Sequence, residues 1–265
     1  MISRVYYNEW DSYAAEWLRN LIKEGNLPDG DVDERSITEV EPNDLKGYTQ
    51  HHFFAGIGGW ALATRLAGIN ESERIVTGSP PCQPFSTAGQ RKGYADERHL
   101  APHWLRLVAS VRPTWVFGEQ VAAAIRKDDW LDDLLDALEA EGYATGAIVL
   151  PACSVGAPHI RQRVWFTAWL ADSNVLRRQG QRRSSTTQSQ RVTECEQTGG
   201  YHSTQSQWND SDWLWCRDGK WRPVEPGTFP LVDGVPSRVG RLRAYGNAIV
   251  PQVAAEIIKG AIGDF

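Results

Sequence analysis

Short apolar runs, too brief to be helices, alternate with amphipathic segments along the first 170 residues, and that alternation limits the fold more than any other feature of the chain. Val5-Tyr6-Tyr7, residues 51–55, Ile75-Val76-Thr77, Trp115-Val116-Phe117, 147–149 and 164–168 read as buried strands, with a further strand expected near 36–40. Between them, residues 12–24 place Ala14, Ala15, Leu18, Leu21 and Ile22 on one helical face. Gly25 and the Asn26-Leu27-Pro28-Asp29-Gly30 cluster stop that helix. Residues 60–66, 103–110, 130–141 and 251–262 read as further helices. Strands alternating with helices predict an α/β fold with a doubly wound, mostly parallel sheet.

The composition changes after Trp169. Residues 177–207 are dominated by Arg, Gln, Ser, Thr and Gly, and are expected to be either a disordered loop or a polar contact surface. Residues 208–236 hold Trp208, Trp213, Trp215 and Trp221 among turn signals, as in a small β-rich module. The expected organisation is a catalytic and cofactor-binding domain over 1–169, a recognition region over 170–240, and a return to the first domain over 241–265.

Charge follows the same division. The net charge is −5, yet residues 155–245 carry 13 Lys and Arg against 8 Asp and Glu, leaving −10 on the remainder. A basic segment on an acidic body suits a protein that meets a polyanion on one side, although a solvated charged surface would look alike. No apolar run of about 18 residues exists, and Met1-Ile2-Ser3-Arg4 begins no signal-peptide core, so a cytoplasmic protein without membrane contact is expected. Cys82, Cys153, Cys195 and Cys216 form no C-x-x-C pair, which argues against a zinc site and a disulfide framework.

Gly78-Ser79-Pro80-Pro81-Cys82-Gln83-Pro84-Phe85-Ser86 follows an apolar strand directly. Three prolines in five positions forbid a helix there, so Cys82 is expected on a rigid loop at a strand's carboxyl end, where α/β sheets place their ligands. A structural cysteine sits more often inside an apolar run, which favours a reactive thiol. Phe53-Phe54-Ala55-Gly56-Ile57-Gly58-Gly59-Trp60 reads as strand, glycine turn and helix start. Such a turn lets a ligand approach the backbone, but Ala61 stands where a full Gly-x-Gly-x-x-Gly fingerprint needs glycine. Asn8-Glu9-Trp10 ends the first strand; Glu9 is either a ribose holder beside a stacking Trp10, or a surface acid beside a core indole. Glu119 follows another strand, and Arg161-x-Arg163 places two cations on one face of a strand start, suited to a phosphate, a carboxylate or a solvated edge.

Taken together, these motifs resemble the cytosine-C5 DNA methyltransferase family. Phe54-Ala55-Gly56-Ile57-Gly58-Gly59 is similar to its cofactor motif, and Pro81-Cys82-Gln83 to its nucleophile motif. Glu119-Gln120-Val121 resembles its Glu-Asn-Val, Arg161-x-Arg163 its paired arginines, and Gly246-Asn247-Ala248-Ile249-Val250 its closing Gly-Asn-Ser-Val. The resemblance implies a Rossmann-like class I methyltransferase sheet. The order is altered: only 28 positions separate Phe54 from Cys82, about half the family's spacing. The missing strand–helix–strand unit is expected at the N-terminus, with Glu9 and Trp10 as the ribose motif and Ser36-Ile37 as the adenine motif. The first two strands should then pair beside the Phe54 strand although they precede it. Ser36 replaces the family's Asp, leaving Asp33 as a substitute, and Ala248 replaces its Ser.

The resemblance further implies S-adenosylmethionine as donor, S-adenosylhomocysteine as product, and no metal. It makes Cys82, Glu119, Arg161 and Arg163 catalytic. Phe54, Gly56, Ile57, Gly58, Gly59, Glu9, Trp10, Ser36, Ile37, Pro80, Asn247 and Ala248 would hold the cofactor. Gln83, Ser86, Arg91, Lys92, Arg177, Arg178, Arg182 and Arg183 would contact double-stranded DNA, with residues 86–99 closing over a flipped cytosine. The expected protein is a monomer that methylates DNA beside a cognate restriction endonuclease in a bacterial or phage-infected cell. A tRNA cytosine-5 methyltransferase and a non-catalytic DNA-binding relative are the alternatives.

Overall fold

A computed structural model describes residues 4–80, 100–122, 130–157, 159–170 and 246–263, together with the strands at 212–215 and 221–224. The chain divides into two compact units, one formed by Met1–Leu170 and Leu231–Phe265, the other by Ala171–Pro230. In the second unit, the described residues form one antiparallel hairpin, Asp212–Trp215 against Trp221–Val224.

The first unit is built on a seven-stranded sheet. Its strands are β1 (Val5–Asn8), β2 (Gly30–Asp33), β3 (Gln50–Phe53), β4 (Ile75–Gly78), β5 (Trp115–Val121), β6 (Tyr143–Leu150) and β7 (Arg163–Leu170). They lie in the order β2-β1-β3-β4-β5-β7-β6. The first five are parallel, and β7 runs antiparallel between β5 and β6. β1 thus pairs with both β2 and β3, as the displaced N-terminal unit requires. The helices α1 (Ser12–Lys23), α2 (Gly59–Leu66), α3 (Ala101–Val111), α4 (Trp130–Ala140) and α5 (Pro251–Ile262) complete the described elements of this unit, apart from short 3-10 turns.

Local chemistry explains the boundaries. Asp11 caps α1, its Oδ1 accepting from Tyr13 N at 3.1 Å and Ala14 N at 3.2 Å. Pro251 opens α5, where its missing N–H costs nothing. One sheet face packs Tyr6, Phe53, Val76, Val116 and Phe166 against Trp104 and Leu107 of α3 and Leu134 and Leu138 of α4. The other packs Ile75, Phe117 and Trp165 against Trp60 of α2 and Val253 and Ile258 of α5. Continuous burial of β1, β3 and β4 is what a central parallel strand covered on both faces demands.

Two expectations need correction. The second strand is Gly30–Asp33, not residues 36–40. Gly and Asp are poor strand formers, but this strand lies at the sheet's edge, where charged side chains are tolerated. Residues 36–39 instead form a turn, with Glu39 N donating to Ser36 O at 2.9 Å. Ile37 and Val40, three apart, both reach the core from that turn. Second, Glu119 does not follow its strand but lies within it, because β5 continues to Val121.

Among the described residues, no helix is long and apolar enough to cross a membrane.

Candidate active site

In-register pairing aligns the carboxyl ends of the parallel strands. Asn8 pairs with Phe53, Phe53 with Gly78, and Gly78 with Gly118. Glu9, Phe54, Ser79 and Glu119 each come one residue later, so four separate stretches of sequence reach one edge of the sheet.

At one end of that edge, Glu9 closes over the glycine turn. Its Oε2 accepts from Gly56 N at 2.7 Å, and its Oε1 from Asp11 N at 2.9 Å. Phe54 takes a left-handed conformation (φ 52°), and Gly58 another (φ 86°). A Cβ on Gly59 would stand 2.7 Å from Ile249 Cγ1, so that glycine lets α2 approach the segment before α5. Nothing lies within 4 Å of the corresponding point on Gly56, which leaves this part of the backbone open. Trp10 is 74% exposed, its indole presented to solvent rather than to the core.

These residues fit S-adenosylmethionine. The Glu9 carboxylate stands over the turn and is of the type that accepts from ribose hydroxyls as well as from backbone N–H groups. Trp10 offers an apolar plane to a purine, and the open Gly56 admits close approach. Ser36 and Ile37 fall elsewhere than a strand tip: Ile37 is in the core, and Ser36 Oγ lies 2.8 Å from Thr38 Oγ1. Asp33 is engaged too, accepting from Tyr6 Oη at 2.7 Å and from Arg35 Nη2 at 2.6 Å. Burial pushes the Asp33 carboxyl up, and the bonds from Arg35 and Tyr6 outweigh it and hold the group below its ordinary value.

At the centre of the edge, Glu119 is 8% exposed and meets Arg163, with Arg163 Nε 2.7 Å from Glu119 Oε1. Burial raises the Glu119 pKa; the charges of Arg163 and Arg161 and the hydrogen bond from Arg163 oppose the rise. The net direction is upward. Arg163 also donates from Nη1 to Gln162 O at 2.8 Å, which fixes the fork.

The two arginines have separate tasks. β7 begins at Arg163, and Arg161 precedes it with a left-handed φ of 31°. Arg161 donates from Nη1 to Gly246 O at 3.1 Å and from Nη2 to Ala248 O at 2.8 Å. It therefore holds the 246–248 segment rather than sharing a strand face with Arg163. Burial and the neighbouring Arg163 cation lower its pKa. Asn247 of that segment is exposed, and Ile249 is buried.

Three further side chains were not singled out by motif reading. Trp60 Nε1 donates to Ser79 Oγ at 3.0 Å, and Gln120 Nε2 donates to Pro80 O at 2.7 Å. Only the fold brings these partners together, since 19 positions separate the first pair and 40 the second. The departure of Gln120 from the family's Asn was the one visible signal. Cys82, Gln83, Ser86, Arg91, Lys92, Arg177, Arg178, Arg182 and Arg183 lie outside the described residues. Among the described residues, no group of three or more His, Cys, Asp or Glu could hold a metal ion.

The chain is similar to several known methyltransferases. The Type II methyltransferase M.BsuFI of Bacillus subtilis is 28% identical over 174 residues, 64% of this chain and 35% of its own length. The Type II methyltransferase M.HhaI of Haemophilus parahaemolyticus is 27% identical over 174 residues, 64% of this chain and 43% of its own. Among solved structures, the Entamoeba histolytica methyltransferase EhMeth is 15% identical with a TM-score of 0.41, covering 65% of this chain and 54% of that one. The chain spans less than half the length of the two curated relatives. The family model for C-5 cytosine-specific DNA methylases matches residues 1–222, from the displaced N-terminal strands to beyond the Glu119 strand, and the chain belongs to that family.

Proposed function

We propose that this protein transfers a methyl group to C5 of cytosine in duplex DNA, through transient attachment of the base to Cys82. The observation that carries the reading is a buried Glu119 held by Arg163, on the same sheet edge that leads through Ser79 and Pro80 in sequence to Cys82.

Cytosine C5 is too weak a nucleophile to take a methyl group unaided. Addition of the Cys82 thiolate to C6 forms an S–C6 bond and moves the ring's electron pair toward C5 and N3. Glu119 supplies a hydrogen bond or its proton to N3 and offsets that charge. Arg163 keeps the carboxyl oriented and would assist at the base's O2. S-adenosylmethionine, if held by Glu9, Trp10 and the Gly56–Gly59 turn, would supply the sulfonium methyl for C5, with S-adenosylhomocysteine as the leaving group. Loss of the C5 proton to a base then expels the Cys82 sulfur and restores the ring.

Glu9, Trp10, Phe54 and the Gly56–Gly59 turn would hold the donor, with Pro80 and the 246–248 backbone beside its amino-acid end. The target base must leave the duplex, at about a few kcal/mol. Residues 170–240 are assigned to DNA recognition, with Arg177, Arg178, Arg182 and Arg183 meeting phosphates and making affinity fall with salt. Gln83, Ser86, Arg91 and Lys92 would face the extruded base and its strand. The reading extends to a monomer acting with a cognate restriction endonuclease.

Incubation with duplex DNA and methyl-tritiated donor, followed by nucleoside digestion, tests the proposal. Label in 5-methylcytosine supports it. Label confined to tRNA in a parallel incubation, or no label in either, overturns it.

A further inference from the structure

Resting on the reading of Cys82 as nucleophile, we infer that Trp60 and Gln120 are positioning residues that clamp Ser79 and Pro80, the two residues from which the chain enters the Pro81-Cys82 step. Trp60 is 2% exposed and stands in the first turn of α2, directly after the glycine turn. Its Nε1 donates to Ser79 Oγ at 3.0 Å. Its ring meets Trp165 edge-on, with centroids 5.8 Å apart and planes at 80°, and Trp165 is the cross-strand partner of Glu119. One side chain therefore touches the cofactor turn, the approach to the thiol and the neighbour of the acid.

Gln120 holds the other side. It is 4% exposed and uses both ends of its amide: Nε2 donates to Pro80 O at 2.7 Å, and Oε1 accepts from Val121 N at 2.8 Å. An amide engaged at both ends has little freedom to swing, so the buried Pro80 carbonyl is fixed relative to β5. Because Glu119 is the adjacent residue on β5, one side chain ties the Pro80 carbonyl to the strand that carries the acid. Asn, one methylene shorter, would not span the same gap. The clamp thus makes thiol placement depend on α2 and β5 together, which matters because misplacement of about 1 Å can cost about a hundredfold in rate.

The test uses the whole protein and duplex DNA carrying 5-fluorocytosine, with S-adenosylmethionine present. Adduct formation at Cys82 is timed by mass spectrometry, alongside calorimetric affinity for S-adenosylhomocysteine and the thermal midpoint. Trp60→Phe and Ser79→Ala remove the same hydrogen bond from opposite sides. Each should slow adduct formation about tenfold, and the double variant should be no slower than either alone. Cofactor affinity should stay within about twofold. Gln120→Asn should slow the adduct about tenfold or more. Folded variants that form adduct at the wild-type rate, or single losses that multiply in the double variant, overturn the inference. Absence of adduct in the wild-type protein overturns the nucleophile reading instead.

Discussion

Arg163 sits diagonally across β5–β7 from Glu119: it pairs in register with Val121, two residues further along the same face, and its Nε reaches the Glu119 carboxylate at 2.7 Å. A diagonal contact lets the cation hold the acid from the side.

Activity should depend on Glu119 being protonated, so it falls as pH rises through this raised pKa. Arg163→Met removes a cation that opposes protonation. The alkaline limb of the kcat profile should therefore move to higher pH even as the rate drops. A limb that moves to lower pH contradicts the assignment. Glu119→Gln, which cannot give a proton, should lower kcat by about a hundredfold to ten-thousandfold.

Acid should unfold the protein through β3. Burial lowers the pKa of His51 from 6.5 to about 4 and of His52 to about 3. The folded protein keeps both neutral, whereas the unfolded chain takes protons below about pH 6.5. Their stability contribution is complete above that pH and is lost as pH falls toward 4 and then 3, at about 1.4 kcal/mol per unit for each histidine. Urea melts between pH 7 and 5 should show this slope, and His52→Asn should reduce it by about half.

Gly118→Ala should destabilise the sheet without touching any reacting group. A Cβ there would overlap the Phe166 ring, which itself packs edge-on against Trp104 with centroids 6.0 Å apart. The expected loss is about 1–3 kcal/mol or more, read as a lower midpoint in denaturant. An unchanged midpoint would mean that the ring can slide aside.

Trp10→Ala should leave the thermal midpoint of the ligand-free protein nearly unchanged, since the side chain is 74% exposed. Affinity for S-adenosylhomocysteine should fall about tenfold, in line with about 1.4 kcal/mol for one aromatic contact. Calorimetry on both proteins measures the difference.

Much of this architecture is written locally. Tyr7, Val76, Phe117 and Phe166 lie in short apolar runs that can be little else than buried strands, and the α5 bounds follow from Pro251 and the periodicity after it. The displaced N-terminal unit was legible because Glu9-Trp10 ends a strand before an amphipathic helix. β2 was not, since an edge strand of Gly, Asp, Val and Asp carries the residues of a turn. The position of Glu119 at the end of an apolar run was legible, but the contact that holds it was not. The site was hidden where the partner is distant in sequence: Arg161 reaches 85 and 87 positions to Gly246 and Ala248. Alternation counted from Val164 placed Arg161 and Arg163 on one face, but the left-handed turn at Arg161 breaks that alternation before the strand begins.

The position of β1 between β2 and β3 has a consequence during synthesis on the ribosome. β1 is buried along its whole length, yet its second neighbour begins only at Gln50. The nascent β1–α1–β2 piece must therefore expose a ready edge, with Tyr6 and Tyr7 uncovered, until β3 at Gln50–Phe53 has also emerged. Chaperone demand in this protein should concentrate on that interval, before the strand that leads into Glu9 gains the companion that shields it.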